Sequence, residues 1–118
     1  MKIFIHHIYE YMKGLRRLVL YTGKSQQKEE IEKRLRKHGI SYIIEDVSDT
    51  KINVFFGSQE CIGVLLNFQT LELDKLTDSE DFILGVMLGY DVILQCRRFN
   101  KRKDQQKEGR IYAELLCE

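Results

Sequence analysis

The chain has 118 residues, a mass of 14.0 kDa and a formal net charge of +1. This length is usual for one domain, so we expect residues 1–118 to fold as a single unit. A hydrophobic share of 43% and the absence of proline exclude a disordered or proline-rich chain. The near-neutral charge argues against nucleic acid as a partner, and no apolar run reaches the ~20 residues that span a membrane.

The cysteines and the N-terminus indicate a compartment. Cys61, Cys96 and Cys117 have no paired spacing, and an odd number would leave one thiol outside any disulfide framework. The N-terminus lacks the apolar core and the small-residue cleavage site of a signal peptide. These features favour a reducing, cytoplasmic location of bacterial type.

The first elements are predicted to be a helix and a strand. Apolar residues at three- and four-residue spacing favour a short helix over residues 3–13 that ends at Gly14, while a strand over residues 3–8 fits the same pattern. Residues 15–22 are dense in Leu, Val and Tyr on both alternating faces. That pattern is typical of a central strand that is covered on both sides or by a partner.

A second helix and two further strands follow. Residues 25–38 predict an outer helix that Ser25 caps, because Glu residues precede Lys or Arg at i,i+4 and only a narrow apolar stripe is present. Residues 42–47 and 52–56 predict two strands joined by a four-residue hairpin loop. Ile52, Val54 and Phe56 should share one face of the sheet.

The remainder of the chain predicts three helices. The first follows the Gly57–Ser58 turn and places Cys61, Leu65 and Phe68 on one stripe, with Ile62 and Leu66 beside it. A Thr77–Glu80 capping box opens the second, over residues 78–89, for which we expect an inward face of Phe82, Ile83, Val86 and Met87. The third runs from Val92 past Lys103.

The predicted fold class is α+β, with a small three-stranded sheet and about five helices. Such a sheet has two open edges, and the expected helical cover lies mostly on one side. Pairing of edges or docking of helices between two copies would keep the apolar faces out of water. We therefore expect a homodimer.

Charge is distributed unevenly near the C-terminus. Residues 60–91 contain seven acids and one lysine, whereas residues 97–110 contain seven bases and two acids. Charge runs usually face water, but such segments also form docking surfaces. The residues that we expect to engage an acidic cytosolic partner are Arg97, Arg98, Lys101, Arg102 and Lys103.

A Gly-Lys-Ser sequence at residues 23–25 lies where a strand leads into a helix. A phosphate-binding P-loop would need glycine in place of Leu18, so nucleotide hydrolysis is not indicated. The alternative function is a regulatory module that binds a small anion or a nucleotide. Its predicted binding residues are Lys24, Ser25 and Ser58.

Two other groups could carry chemistry. His6, His7 and Glu10 lie within one predicted turn, but the chain offers no second ligand pair of zinc-site spacing. Cys61 in a first helical turn would need a nearby base to act as a nucleophile. We expect half-buried histidines, a buried Cys61, and neither catalytic residues nor a metal or cofactor.

Two further patterns concern contacts. Gly85 and Gly89 would create a smooth strip on one helix face, which allows close approach of another helix. Phe99 and Tyr112 flank the basic run, an arrangement that could stack nucleic-acid bases. The aromatic residues are few, however, and the overall charge does not favour that function.

Three segments resemble the bacterial domain-of-unknown-function 2023 family: FIHHIYEYMKGLRRLVLYT at 4–22, DFILGVMLGYD at 81–91 and QCRRF from Gln95. The resemblance covers nearly the whole chain. It implies a homodimer with three strands and several helices, and it carries over no activity and no catalytic residues. It also associates such proteins with flavodoxin-containing gene neighbourhoods in anaerobic bacteria, which makes a flavodoxin a candidate redox partner for a non-catalytic accessory module.

Overall fold

The structure, a computed structural model, describes residues 1–116, with side chains up to residue 107. Within that part it contains five α-helices and three β-strands, so the predicted α+β class is confirmed. Two single 3-10 turns, Ser25–Gln27 and Leu73–Lys75, complete the fold. The elements in chain order are α1 (Lys2–Met12), β1 (Leu18–Lys24), α2 (Lys28–Lys37), β2 (Ser41–Asp46), β3 (Lys51–Gly57), α3 (Gln59–Leu65), α4 (Asp78–Met87) and α5 (Val92–Leu116).

The three strands form one antiparallel sheet in the order β1-β3-β2. The predicted hairpin between β2 and β3 is confirmed, and the Ser48 side chain accepts a hydrogen bond from the Lys51 amide (3.1 Å) at its turn. The central position predicted for β1 is wrong. β3 is the central strand, and it alone has an unbroken run of buried residues from 52 to 57.

Helices cover both faces of the sheet. Successive residues of β3 point to opposite faces and therefore contribute to two separate cores. On one face, Ile52, Val54 and Phe56 pack against residues of α1 and α2, including Phe4 and Leu35. On the other face, Phe55 packs with apolar residues of β1, α3 and the α4 region, namely Leu18, Ile62, Leu65, Leu76, Leu84 and Leu88. The expectation of one-sided helical cover is therefore wrong.

The helix boundaries agree with the sequence in part. α1 is a helix rather than a strand, and Gly14 follows it with a φ of 76°. Ser25 does not cap α2, because it lies in a 3-10 turn where its amide donates to the Thr50 carbonyl (2.9 Å). α3 ends at Leu65, yet Cys61, Leu65 and Phe68 all pack in the second core as predicted, whereas Leu66 is 71% exposed.

The inward face predicted for α4 is only partly correct. Met87 packs against the second core and Phe82 packs against Phe99 of α5, with ring centroids 5.7 Å apart. Ile83 and Val86 are exposed, and the residues that enter the core are Leu84 and Leu88. The reason is that α4 lies between the sheet and α5, so that two of its faces are covered.

α5 lies antiparallel to α4 and is much longer, and together they form a helical hairpin. The molecule measures 62 × 32 × 23 Å along its principal axes. None of the helices within residues 1–116 combines the length and the apolar character that crossing a bilayer requires.

Candidate functional site

The acidic start of α4 is paired with the basic side of α5. The Asp78 carboxylate is almost fully buried, and it contacts Arg102 Nε (2.8 Å), Lys103 Nζ (3.6 Å) and Gln106 Nε2 (2.8 Å). Asp81 accepts two hydrogen bonds from the Arg98 guanidinium, at 2.7 and 3.1 Å. Arg102 Nη1 lies 3.3 Å from Asp81 Oδ2, which joins the two carboxylates into one network.

This network pairs many of the acidic residues of the first charged segment with basic residues of the second. Hydrogen bonds from Arg98 lower the pKa of the Asp81 carboxyl, and the nearby charges of Arg98 and Arg102 act in the same direction. Three of the five residues predicted to bind a partner, Arg98, Arg102 and Lys103, therefore already contact acids of their own chain. The other two, Arg97 and Lys101, line a shallow depression on α5 and form no ion pair within the described residues.

The turn of the hairpin exposes apolar side chains. Tyr90, Val92, Ile93 and Leu94 are each more than half exposed, and we refer to these four residues as the hairpin end. Asp91 accepts a hydrogen bond from the Leu94 amide (3.0 Å), as a capping residue does at the start of a helix. The first turn of α5 is thus fixed while its large apolar groups face solvent.

The close helix approach predicted from the glycines occurs at one of the two. A Cβ on Gly85 would overlap the carboxamide of Gln95, which shows that the Gln95 side chain of α5 lies directly over Gly85 of α4. Gly89 instead follows the end of α4 with a φ of 84°, a conformation that glycine adopts at low cost.

The predicted anion-binding residues do not come together. Lys24 is paired with Lys51 at one end of the sheet, whereas Ser58 follows Gly57 at the other, about 20 Å away for six residues of strand. Ser58 caps α3 by accepting a hydrogen bond from the Cys61 amide (3.4 Å). Ser25 shares its shallow surface depression with Asp46 and Asp49, and these acids oppose anion binding.

The histidine and cysteine candidates form no compact reactive cluster. His6 and His7 each lie near the Glu10 carboxylate, at 3.5 and 3.4 Å, and Arg16 contacts His7 Nδ1 at 3.3 Å. Within the side chains that the structure describes, no group of three or more His, Cys, Asp or Glu converges to hold a metal ion. Cys61 is partly buried against the second core. Tyr112 and Cys117 lie outside the described side chains.

Sequence reasoning treated the acidic and basic segments as separate surfaces and missed their pairing. The paired residues are 17 to 28 positions apart, so no i,i+4 pattern indicates the contact. The pairing could have been inferred from an acidic helix start that is followed along the chain by a basic helix long enough to fold back against it.

Comparison with curated proteins finds no match. A model of a protein family described as "Protein of unknown function (DUF2023)" matches residues 2–102, which is most of the chain and includes α1 to α4 and the first part of α5. The resemblance seen in the sequence is thereby confirmed. The chain belongs to the DUF2023 family of proteins of unknown function.

Proposed function

We propose that the protein acts by binding, as a homodimeric interaction module whose contact surface is the hairpin end. The observation that carries this proposal is the exposure of four adjoining large apolar side chains, between 53% and 59% of each, at a turn fixed by Asp91. Contiguous apolar patches of this kind mark contact surfaces in soluble proteins. We further propose a reducing cytoplasm as the location; within the described side chains, Cys61 and Cys96 form no disulfide with each other.

A second copy fits this surface better than a charged partner does. Asp91 is the only charged residue between 90 and 94, so two such patches bring mainly uncharged apolar side chains together. Ile83 and Val86 on α4 are also exposed and provide further apolar surface toward the ~800 Å² per partner of a standard interface.

The test is the oligomeric state of the Ile93→Glu variant, measured by sedimentation over a wide concentration range. The wild-type chain should sediment with twice the 14.0 kDa chain mass. Two buried glutamates at the interface should raise the dimer dissociation constant by more than about tenfold. Leu66→Glu, at the exposed end of α3, is the control and should remain dimeric. A monomeric wild type, or a variant that dimerises as well as the wild type, would refute the proposal.

A second candidate function is the docking of an acidic redox protein such as a flavodoxin on α5. Arg97 and Lys101 favour it, because they are one helical turn apart, adjoin the hairpin end and form no ion pair within the described residues. Reversal of both charges should weaken flavodoxin binding about tenfold, and added salt should weaken the wild-type complex.

The matched control for this second candidate reverses Lys28 and Lys37, two exposed lysines of α2. Isothermal titration of flavodoxin into each variant measures the effect. Equal affinity for the wild type and the Arg97/Lys101 variant, or equal loss in the two double variants, would exclude docking at this site.

A further inference from the structure

Helix α1 is apolar on two sides, and the sheet covers one of them. Phe4 and Ile8 are buried in the core that α1 shares with α2. Three further large side chains, those of Ile5, Tyr9 and Met12, have the i, i+4 and i+7 spacing of one helix face and are between 41% and 55% exposed. A helix that is apolar all round is normally covered all round, so this second side indicates a contact surface.

The exposed side chains belong to a helix whose end is fixed. The Gly14 amide donates to the Tyr11 carbonyl (3.0 Å), and the Leu15 amide donates to the Glu10 carbonyl (2.9 Å). Helices that end at a glycine of positive φ commonly close in this way. Leu15 is thereby held at the end of α1 with 69% of its surface exposed. A well-terminated helix that is anchored on the sheet therefore presents these apolar groups to solvent.

Basic residues lie at both ends of the exposed side of α1. Lys2 is in its first turn, and Lys13 follows its last turn with Nζ 5.5 Å from the centre of the Tyr9 ring. Glu10 is the only acid among residues 1–24, against five bases, and its carboxylate contacts the two histidines of α1 at 3.5 and 3.4 Å. The outer face of α1, as we name it, consists of five exposed residues without an acid: Lys2, Ile5, Tyr9, Met12 and Lys13.

This combination of side chains matches the surface of an anionic lipid bilayer. Interfacial helices place their apolar groups at the boundary between headgroups and acyl chains, a depth that tyrosine favours. Lysine stems contact the apolar region while their ammonium groups reach the lipid phosphates. A second copy fits less well, because it would bring the lysines of two outer faces together. A helix surface is convex, so it also lacks the concave shape of a small-molecule site.

We propose that the outer face of α1 docks onto the surface of an anionic lipid bilayer, with the helix axis parallel to the membrane plane. Ile5, Tyr9 and Met12 enter the headgroup boundary, and Lys2 and Lys13 bind lipid phosphates. The face is small, so docking depends on both the apolar and the ionic contacts. α1 and α4 pack against opposite faces of the sheet, and a dimer formed through the hairpin end leaves the outer face of α1 exposed.

The experiment is co-sedimentation of the full-length protein with vesicles of phosphatidylserine and phosphatidylcholine in equal parts. We expect binding to these vesicles and at least about tenfold weaker binding to pure phosphatidylcholine. Lys2→Gln/Lys13→Gln should weaken binding to the anionic vesicles by more than about tenfold. The matched control, Lys75→Gln/Lys107→Gln, removes two exposed lysines from the α4–α5 side of the molecule and should bind within about twofold of the wild type.

A second pair of variants tests the apolar contacts at unchanged charge. Ile5→Ser/Met12→Ser should weaken binding by more than about tenfold, because the apolar area that enters the bilayer is lost. Val64→Ser/Leu66→Ser is the control, since these side chains are also exposed but belong to the α3 region on the other face of the sheet. It should bind within about twofold of the wild type. Circular dichroism should show the same fold in all variants, because every substituted side chain is exposed.

Three results would overturn the proposal. The first is a wild type that does not bind anionic vesicles. The second is an equal loss in a test variant and its control, or full binding by Ile5→Ser/Met12→Ser, since net charge alone would then attract the protein. The third is loss of self-association in Ile5→Ser/Met12→Ser during sedimentation, which would assign the outer face of α1 to a second copy.

Discussion

At Gly57 the end of β3 passes directly over the segment before β1. Its φ of 152° lies in a region that glycine readily adopts, and an added Cβ would overlap the carbonyl oxygen of Arg17. That same carbonyl accepts a hydrogen bond from the Ser58 amide at 2.8 Å, so the backbone cannot move away without losing a contact. Glycine is therefore required here by both conformation and space.

We predict that Gly57→Ala lowers the free energy of unfolding by about 2–4 kcal/mol, because it combines backbone strain with a backbone clash. Urea unfolding followed by circular dichroism measures the change. Gly63→Ala within α3 is the control, since a Cβ there meets nothing within 4 Å. It should be neutral or stabilising by up to ~1 kcal/mol. Similar losses in both variants would contradict the argument.

Single residues show what a local pattern can and cannot predict. The Thr77–Glu80 capping box was predicted from its spacing and is confirmed, with Glu80 accepting from the Thr77 amide at 3.0 Å. The second carboxylate oxygen of Glu80 accepts from the Gln69 amide at 2.8 Å, eleven positions away. Both amides lower the pKa of Glu80. Only the first contact lies within the reach of a sequence motif.

The pairing of α4 with α5 makes stability depend on pH. The pKa of Asp81 is lowered in the folded protein, so its stabilisation is complete above the unfolded value of about 4 and is lost as pH falls through the folded value. The lowered pKa of Glu80 acts in the same direction. The folded state should therefore weaken as the pH falls below about 4.

We predict that Asp81→Asn lowers the free energy of unfolding by about 1 kcal/mol at neutral pH, because the ion pair with the half-exposed Arg98 is lost. The difference from the wild type should shrink in acid, where Asp81 is protonated in both states. Urea titrations at neutral and acidic pH measure it. Asp104→Asn, an exposed acid of α5, should follow the wild-type profile. A difference that persists in acid would exclude the ionic explanation.

For the elements, periodicity predicted which segments are helical but not which faces they bury. The sequence of α4 is apolar on several sides, so the choice of Leu84 and Leu88 over Ile83 and Val86 depends on the position of α5. Ser25 likewise has the character of a helix cap, but the exit of the chain from β1 places a 3-10 turn there. Tertiary packing decided both outcomes.

At the scale of the whole molecule, composition and pattern predicted the α+β class, the β2–β3 hairpin and the number of strands. The strand order could not be predicted, because β1 and β3 are both apolar on alternating faces and only long-range pairing decides which is central. The candidate sites were predicted less well, since the α4–α5 network joins residues from distant parts of the chain.

The alternating side chains of β3 couple the unfolding of the two cores. Neither core can be opened alone, since melting the α1 and α2 side uncovers Ile52, Val54 and Phe56 and withdraws support from the strand that also holds Phe55. Loss of either layer therefore removes the scaffold of the other. The two core layers should therefore unfold together, so the sheet and its flanking helices form one cooperative unit although the interior is divided in two.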